Sequence, residues 1–190
     1  MVSDPGSVRD GLLSAGAVRG FAGMLVDVRW DRNGELLARD EVLRLRVFHD
    51  PDAADRTVLG WKGRTAVSAN GLKERHELEY WISGGQEGPH ALLEVLGYSP
   101  LYTIERYVEY YQLGMTNARL EWYPRMDTLI EIEGDADGIE AGIRASGLLR
   151  AAFTPESLSA FAARFAARTG TPAVMTVGAL GSELPTWASR

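Results

Sequence analysis

Apolar and polar positions alternate with a period of two along much of the chain, the repeat of half-buried β-strands, and shift to a helical repeat in a few places. Strands are expected over residues 24–30 (MLVDVRW), 43–48 (LRLRVF), 57–62 (TVLGWK), 73–82 (KERHELEYWI), 101–113 (LYTIERYVEYYQL), 118–123 (ARLEWY) and 128–133 (TLIEIE). The fifth is long and rich in aromatic and β-branched side chains. Asp31-Arg32-Asn33-Gly34 supplies an Asn-Gly turn after the first. Helices are expected over 7–16, with Ser7 as N-cap and Gly16 as stop, over 88–96 before Gly97, and over 135–146 before Gly147. A fourth opens at Thr154-Pro155, with Leu158, Phe161 and Phe165 on one face. Asn70 and Asn117 are expected in turns, their usual place. This order, with hairpin spacing between strands, predicts an antiparallel α+β domain over residues 1–169. Residues 170–190 form a tail in which scattered Gly and Pro define no element.

Composition narrows the picture. The chain has 190 residues, 45% of them hydrophobic, enough for a packed core. Twenty basic against 26 acidic residues give a net charge of -6, which argues against a general nucleic-acid surface but not against a local basic pocket. Only Lys62 and Lys73 are lysines; the other basic residues are arginines, the better bidentate ligands for phosphate and carboxylate. No apolar run is long enough to span a bilayer and no basic start precedes an apolar stretch, so a cytoplasmic protein without a membrane partner, monomeric or homodimeric, is expected. The absence of cysteine excludes disulfides, thiolate zinc sites and cysteine nucleophiles. His49, His76 and His90 have no zinc spacing, Ser14, Ser68 and Ser83 lack a nucleophile elbow, and no dinucleotide fingerprint follows a strand. Trp61, Trp81 and Trp122 read as packing between strands and helices.

The charged faces of the strands carry the chemistry. Arg44 and Arg46 share one face, as do Lys73, Arg75, Glu77 and Glu79, then Arg119 and Glu121, then Glu131 and Glu133. One reading is a sheet with one face in water, decorated with mixed-sign pairs. The other is a barrel whose lumen collects six bases (Arg44, Arg46, Lys62, Arg75, Arg106, Arg119) and five acids (Glu77, Glu79, Glu121, Glu131, Glu133). Enclosed together, bases suit a polyanion and carboxylates a hard cation, the two halves of a magnesium–polyphosphate ligand. Alternation leaves both readings open.

The segments Leu43-Arg44-Leu45-Arg46, Trp61-Lys62-Gly63, Arg75-x-Glu77-x-Glu79, Leu96-Gly97-Tyr98 with Thr103-Ile104-Glu105-Arg106, Leu120-Glu121 and Glu131-Ile132-Glu133 occur in the order seen in the CYTH superfamily. That superfamily holds class IV adenylyl cyclases, thiamine triphosphatases and tripolyphosphatases, the triphosphate tunnel metalloenzymes. The similarity runs from about residue 8 to 165, and LGYSPLYTIERYVEYY resembles the class IV cyclase branch most. The resemblance implies an eight-stranded antiparallel β-barrel tunnel, complete or missing a strand, with a polar lumen and flanking helices. It implies a small organic or inorganic triphosphate as substrate, with Mg²⁺ or Mn²⁺ as cofactor. Carried over residue by residue, Arg44, Arg46, Lys62, Arg75 and Arg106 would bind phosphates. Glu77, Glu79, Glu121, Glu131 and Glu133 would bind metal, and Lys62 and Glu121 would be catalytic. The outcome would be triphosphate hydrolysis or cyclisation. The family's first-strand signature, Glu-x-Glu-x-Lys, is not present, and Val108 stands where a second basic residue is expected after Arg106. The alternative implied is a diverged module that binds a phosphorylated ligand or a protein partner without turnover.

Overall fold

The computed structural model describes residues 1–69 and 71–189; Asn70, expected in a turn, lies outside them. The architecture is α+β. A large antiparallel sheet has the strand order β6-β3-β2-β1-β7-β8-β9, and β4 pairs with β5 in a separate two-stranded sheet. The strands are β1 (Val18–Asp31), β2 (Val42–His49), β3 (Arg56–Lys62), β4 (Ala66–Val67), β5 (Lys73–Glu74), β6 (Glu77–Ile82), β7 (Ser99–Leu113), β8 (Thr116–Trp122) and β9 (Leu129–Glu133). The helices are α1 (Pro5–Ser14), α2 (Glu35–Ala38), α3 (Glu87–Val95), α4 (Ala136–Ala145) and α5 (Leu158–Thr169). The main sheet therefore has seven strands rather than the eight expected, and no pairing that closes it into a barrel occurs among the described residues. No helix is long and apolar enough to cross a membrane. The chain divides into two compact units, Met24–Glu105 and Met1–Gly23 with Arg106–Arg190.

In the unit of residues 24–105 the register fixes which side chains share a face, because directly opposed residues of antiparallel strands point the same way. Asp27 opposes Arg46 and Arg29 opposes Arg44; Arg44 opposes Gly60, which opposes Glu79; Lys62 opposes Glu77. The opposite face is apolar: Trp30, Leu45 and Leu93 of α3 form a buried cluster, with Val28, Leu43, Leu59 and Tyr98 packed on it. The expected Asn-Gly turn is present, with Asn33 at φ 55° and Gly34 at φ 78°. It leads into the short helix α2, which sequence periodicity did not reveal. The Asp31 carboxylate accepts from the backbone N–H groups of Arg32, Leu36 and Leu37 and so satisfies the first turn. The stretch 73–82 is broken rather than continuous, β5 ending at Glu74 and β6 starting at Glu77. Trp81 is 62% exposed on β6, so it is not packing between strand and helix.

In the other unit α1 begins earlier than expected. Its N-cap is Asp4, whose carboxylate accepts from the Ser7 backbone, with Pro5 in the first turn. Ser7 instead donates its hydroxyl to Asp4. Helix α4 is present close to where it was expected, with Asp135 as its N-cap, and packs closely through glycines: a Cβ on Gly142 would come within 2.8 Å of Ile132, and one on Gly11 of α1 within 2.4 Å of the Ala145 carbonyl oxygen. Helix α5 starts at Leu158 behind Ser157, not at Thr154-Pro155, where the Thr154 hydroxyl and Glu156 bond each other locally. Asn117 lies inside β8, opposite Gln112 and Glu133, because the turn falls at Gly114 and Met115. Within the described residues the tail is tied to β8 and the turn after it. Val174 exchanges backbone hydrogen bonds with Arg125, and Thr186 bonds the backbone of Tyr123 and Pro124.

Candidate functional site

Each unit carries its own charged cluster. In residues 24–105, Arg44 and Arg46 stand two positions apart on β2, so both project from the polar face. Arg46 forms a bidentate pair with Asp27, at 2.7 and 2.9 Å, and both side chains are buried. Arg44 Nη2 donates to Glu79 Oε1 at 2.7 Å, while its Nε is buried without a hydrogen-bond partner. Burial and the neighbouring Arg46 charge both lower the Arg44 pKa, against the opposing pull of Asp27 and Glu79. Leaving a buried donor unpaired costs on the order of 1–3 kcal/mol. An anionic oxygen is the natural complement of that N–H. Lys62 Nζ donates to Glu77 Oε1 at 2.6 Å. The acids of these pairs are 37–45% exposed, whereas Lys62 and Arg44 are largely covered.

Arg75 sits in the break between β5 and β6. Its Nε donates to the Gly63 carbonyl at 2.6 Å and its Nη2 to the Asp40 carbonyl, fastening the loop after β3 to the turn before β2. Sequence alternation put it in line with Glu77 and Glu79; the break gives it backbone oxygens instead.

The second cluster belongs to β7, β8 and β9. Both oxygens of the buried Glu121 are taken: Arg106 Nε at 3.0 Å and Arg119 Nε at 2.6 Å on Oε1, Tyr123 Oη at 2.5 Å on Oε2. Burial alone would raise its pKa, but the Arg106 and Arg119 charges and the phenol bond outweigh it and hold Glu121 at about 2. Tyr123 is pushed up by burial and by that carboxylate. Arg119 also reaches the Tyr110 hydroxyl at 3.1 Å, bonds Glu131, and stands 4.0 Å from Glu133. Glu131 and Glu133 are nearly half exposed. Val108, fully buried, is directly opposite Glu121.

Of the residues expected in the site, Arg44, Arg46, Lys62, Glu77 and Glu79 thus meet on one face, and Arg106, Glu121, Glu131 and Glu133 in a second network. No group of three or more carboxylates and histidines stands ready to hold a metal among the described residues. Mg²⁺ commonly binds through only one or two carboxylates and completes its shell with water and substrate phosphates. Glu131 and Glu133, two positions apart on β9 and nearly half exposed, are the carboxylates that would have to meet that smaller requirement, in competition with Arg119. Sequence reasoning missed Asp27, Arg29, Tyr110 and Tyr123. Asp27 and Arg29 do alternate with apolar neighbours, but only the register aligns them with Arg46 and Arg44.

No family model and no curated protein matches the sequence. Solved structures do match in shape. The fold is that of a Vibrio parahaemolyticus protein named a "putative adenylate cyclase". The TM-score is 0.69 at 15% identity over 84% of this chain and 92% of that one. A Pyrococcus horikoshii protein gives 0.62 at 19% identity, covering 81% of this chain and 90% of its own. A conserved hypothetical protein from Pyrococcus furiosus gives 0.62 at 18%, covering 82% and 92%. At such identities the likeness concerns the fold alone.

Proposed function

We propose that this chain is a CYTH-type protein that binds the triphosphate group of a small molecule together with a divalent cation and processes it by hydrolysis or cyclisation. The observation that carries this reading is the buried Arg44 Nε without a partner, on a face that also presents Arg46 and Lys62. The CYTH-like order of motifs and the shared fold with the Vibrio parahaemolyticus protein support it.

On this reading Arg44 and Lys62 exchange their half-exposed carboxylate partners for phosphoryl oxygens. The carboxylates are solvated enough to return to water when they are displaced, while the covered cations pass from one anionic oxygen to another and are never left unpaired. Arg46 is taken by Asp27 and ties β2 to β1 behind the phosphates, and Arg75 braces the adjoining loop. Within the other unit, Glu121 orients Arg106 and Arg119 by accepting from both. Glu77 and Glu79 become available to a cation once their bases turn to phosphate, and Glu131 and Glu133 are the most accessible carboxylates of the second network. A bound Mg²⁺ or Mn²⁺ would neutralise phosphate charge and polarise the phosphorus under attack.

The full engagement of Glu121, together with Val108 opposite it, favours a second reading in which the chain binds such ligands without turnover. Phosphate and pyrophosphate release from ATP, thiamine triphosphate and tripolyphosphate, with Mg²⁺ or Mn²⁺, separates the two. Metal-dependent release supports catalysis, and binding without release supports the second reading. The absence of both contradicts the proposal.

A further inference from the structure

The polar face of residues 24–105 has one feature that phosphate binding does not use. Arg29 lies directly opposite Arg44 in the β1–β2 register and so shares its face. Its guanidinium carbon stands 5.2 Å from the centroid of the Tyr102 ring on β7, the strand on the other side of β1. Tyr102 is 44% exposed. With the Arg29 guanidinium over it and 44% of the residue exposed, the ring gains little from burial, yet it offers with that guanidinium a flat π surface for another planar group. Adjacent strands lie about 4.8 Å apart, so β7 runs roughly 10 Å from β2 across the sheet, room for a sugar or short linker between phosphates and ring. Arg29 is also within electrostatic reach of Lys73, whose pKa burial lowers first and the Arg75 and Arg29 charges lower further.

We propose that Tyr102 and Arg29 form a stacking subsite for the planar aromatic end of an organic triphosphate, making the chain selective for aromatic triphosphates over inorganic tripolyphosphate. This rests on the phosphate-binding reading above. It assigns the half of the ligand that the charged residues leave unread. Stacking on an aromatic side chain is tolerant of which ring is presented, so the subsite selects for an aromatic group rather than for one base.

The test is calorimetric titration of the full chain with ATP and with tripolyphosphate, each with Mg²⁺, for the unaltered protein, Tyr102→Ala and Tyr102→Phe. The expected result is a loss of about tenfold in ATP affinity for Tyr102→Ala, unchanged tripolyphosphate affinity, and ATP affinity restored in Tyr102→Phe. Matching melting temperatures show that the variants are folded, and the half-exposed position makes Phe a safe replacement. Equal losses for both ligands, or none for either, overturn the subsite while leaving phosphate binding standing. Failure of the unaltered protein to bind tripolyphosphate overturns the phosphate reading, and the subsite with it.

Discussion

At the scale of single residues, two buried charges have opposite meanings. Arg44 is covered and incompletely paired; Glu121 is covered and fully paired. Arg44 therefore reads as a group kept for a ligand, and Glu121 as one that holds other side chains in place. Removing one partner of a buried pair is costly when the other charge stays buried, but the Glu79 left behind is 45% exposed and returns to water, and the repulsion between Arg44 and Arg46 is relieved. Arg44→Met is thus expected to melt at or above the unaltered protein while losing at least about tenfold in tripolyphosphate affinity. A lower melting temperature with intact binding would reverse that assignment. Glu121 sits at about 2 against an ordinary 4.5. A depressed carboxylate contributes stability that is full above pH 4.5 and drains away as the pH falls toward 2. Glu121→Gln should lower the melting temperature at neutral pH and flatten the loss of stability across that acid window. An unchanged acid limb would show that Glu121 is not the group responsible.

At the scale of elements, α1 and α4 are set by contacts that only glycine permits. Gly11→Ala would drive a Cβ toward the Ala145 carbonyl, backbone that has no rotamer to give. Overpacking of this kind costs about 1–3 kcal/mol, or roughly 2–12 °C in melting temperature for a chain of this size. Thermal unfolding checks it, and an unaltered melting temperature would mean that the helices separate freely. Element positions were largely legible because alternation and caps are local. Failures arose where a distant partner decided the outcome. Arg75 and His76 fall between strands since Arg75 bonds Gly63 and Asp40, up to 35 positions away. Glu109 shows the same limit. It lies between Tyr107 and Tyr111 on β7, buried, and is paired with Arg9 of α1 at 2.9 Å and with the Tyr111 hydroxyl at 2.8 Å. Nothing near it in sequence announces a partner 100 residues earlier. Burial, then the Glu109 carboxylate, pushes the Tyr111 phenol up to about 12.

At the scale of the whole molecule, the net charge of -6 and anion binding at the proposed site are compatible because the register sets Arg44, Arg46 and Lys62 each against one carboxylate, Glu79, Asp27 and Glu77, and only Glu77 and Glu79 are exposed enough to give way to a ligand. Which residue types face one another was visible as alternation; which cations meet which carboxylates was not, since pairing depends on strand order. Ionic strength should therefore weaken ligand binding more than it changes stability. Polyphosphate binding at this face is what the proposed function requires. The most direct measurement is calorimetric titration of the full chain with tripolyphosphate and Mg²⁺, against sulfate as control, for the unaltered protein and Lys62→Ala. Saturable binding at least about tenfold tighter than sulfate, weakened in the variant, is expected. Binding no tighter than sulfate, or untouched by the loss of Lys62, would contradict it and leave a sheet whose charges serve only each other.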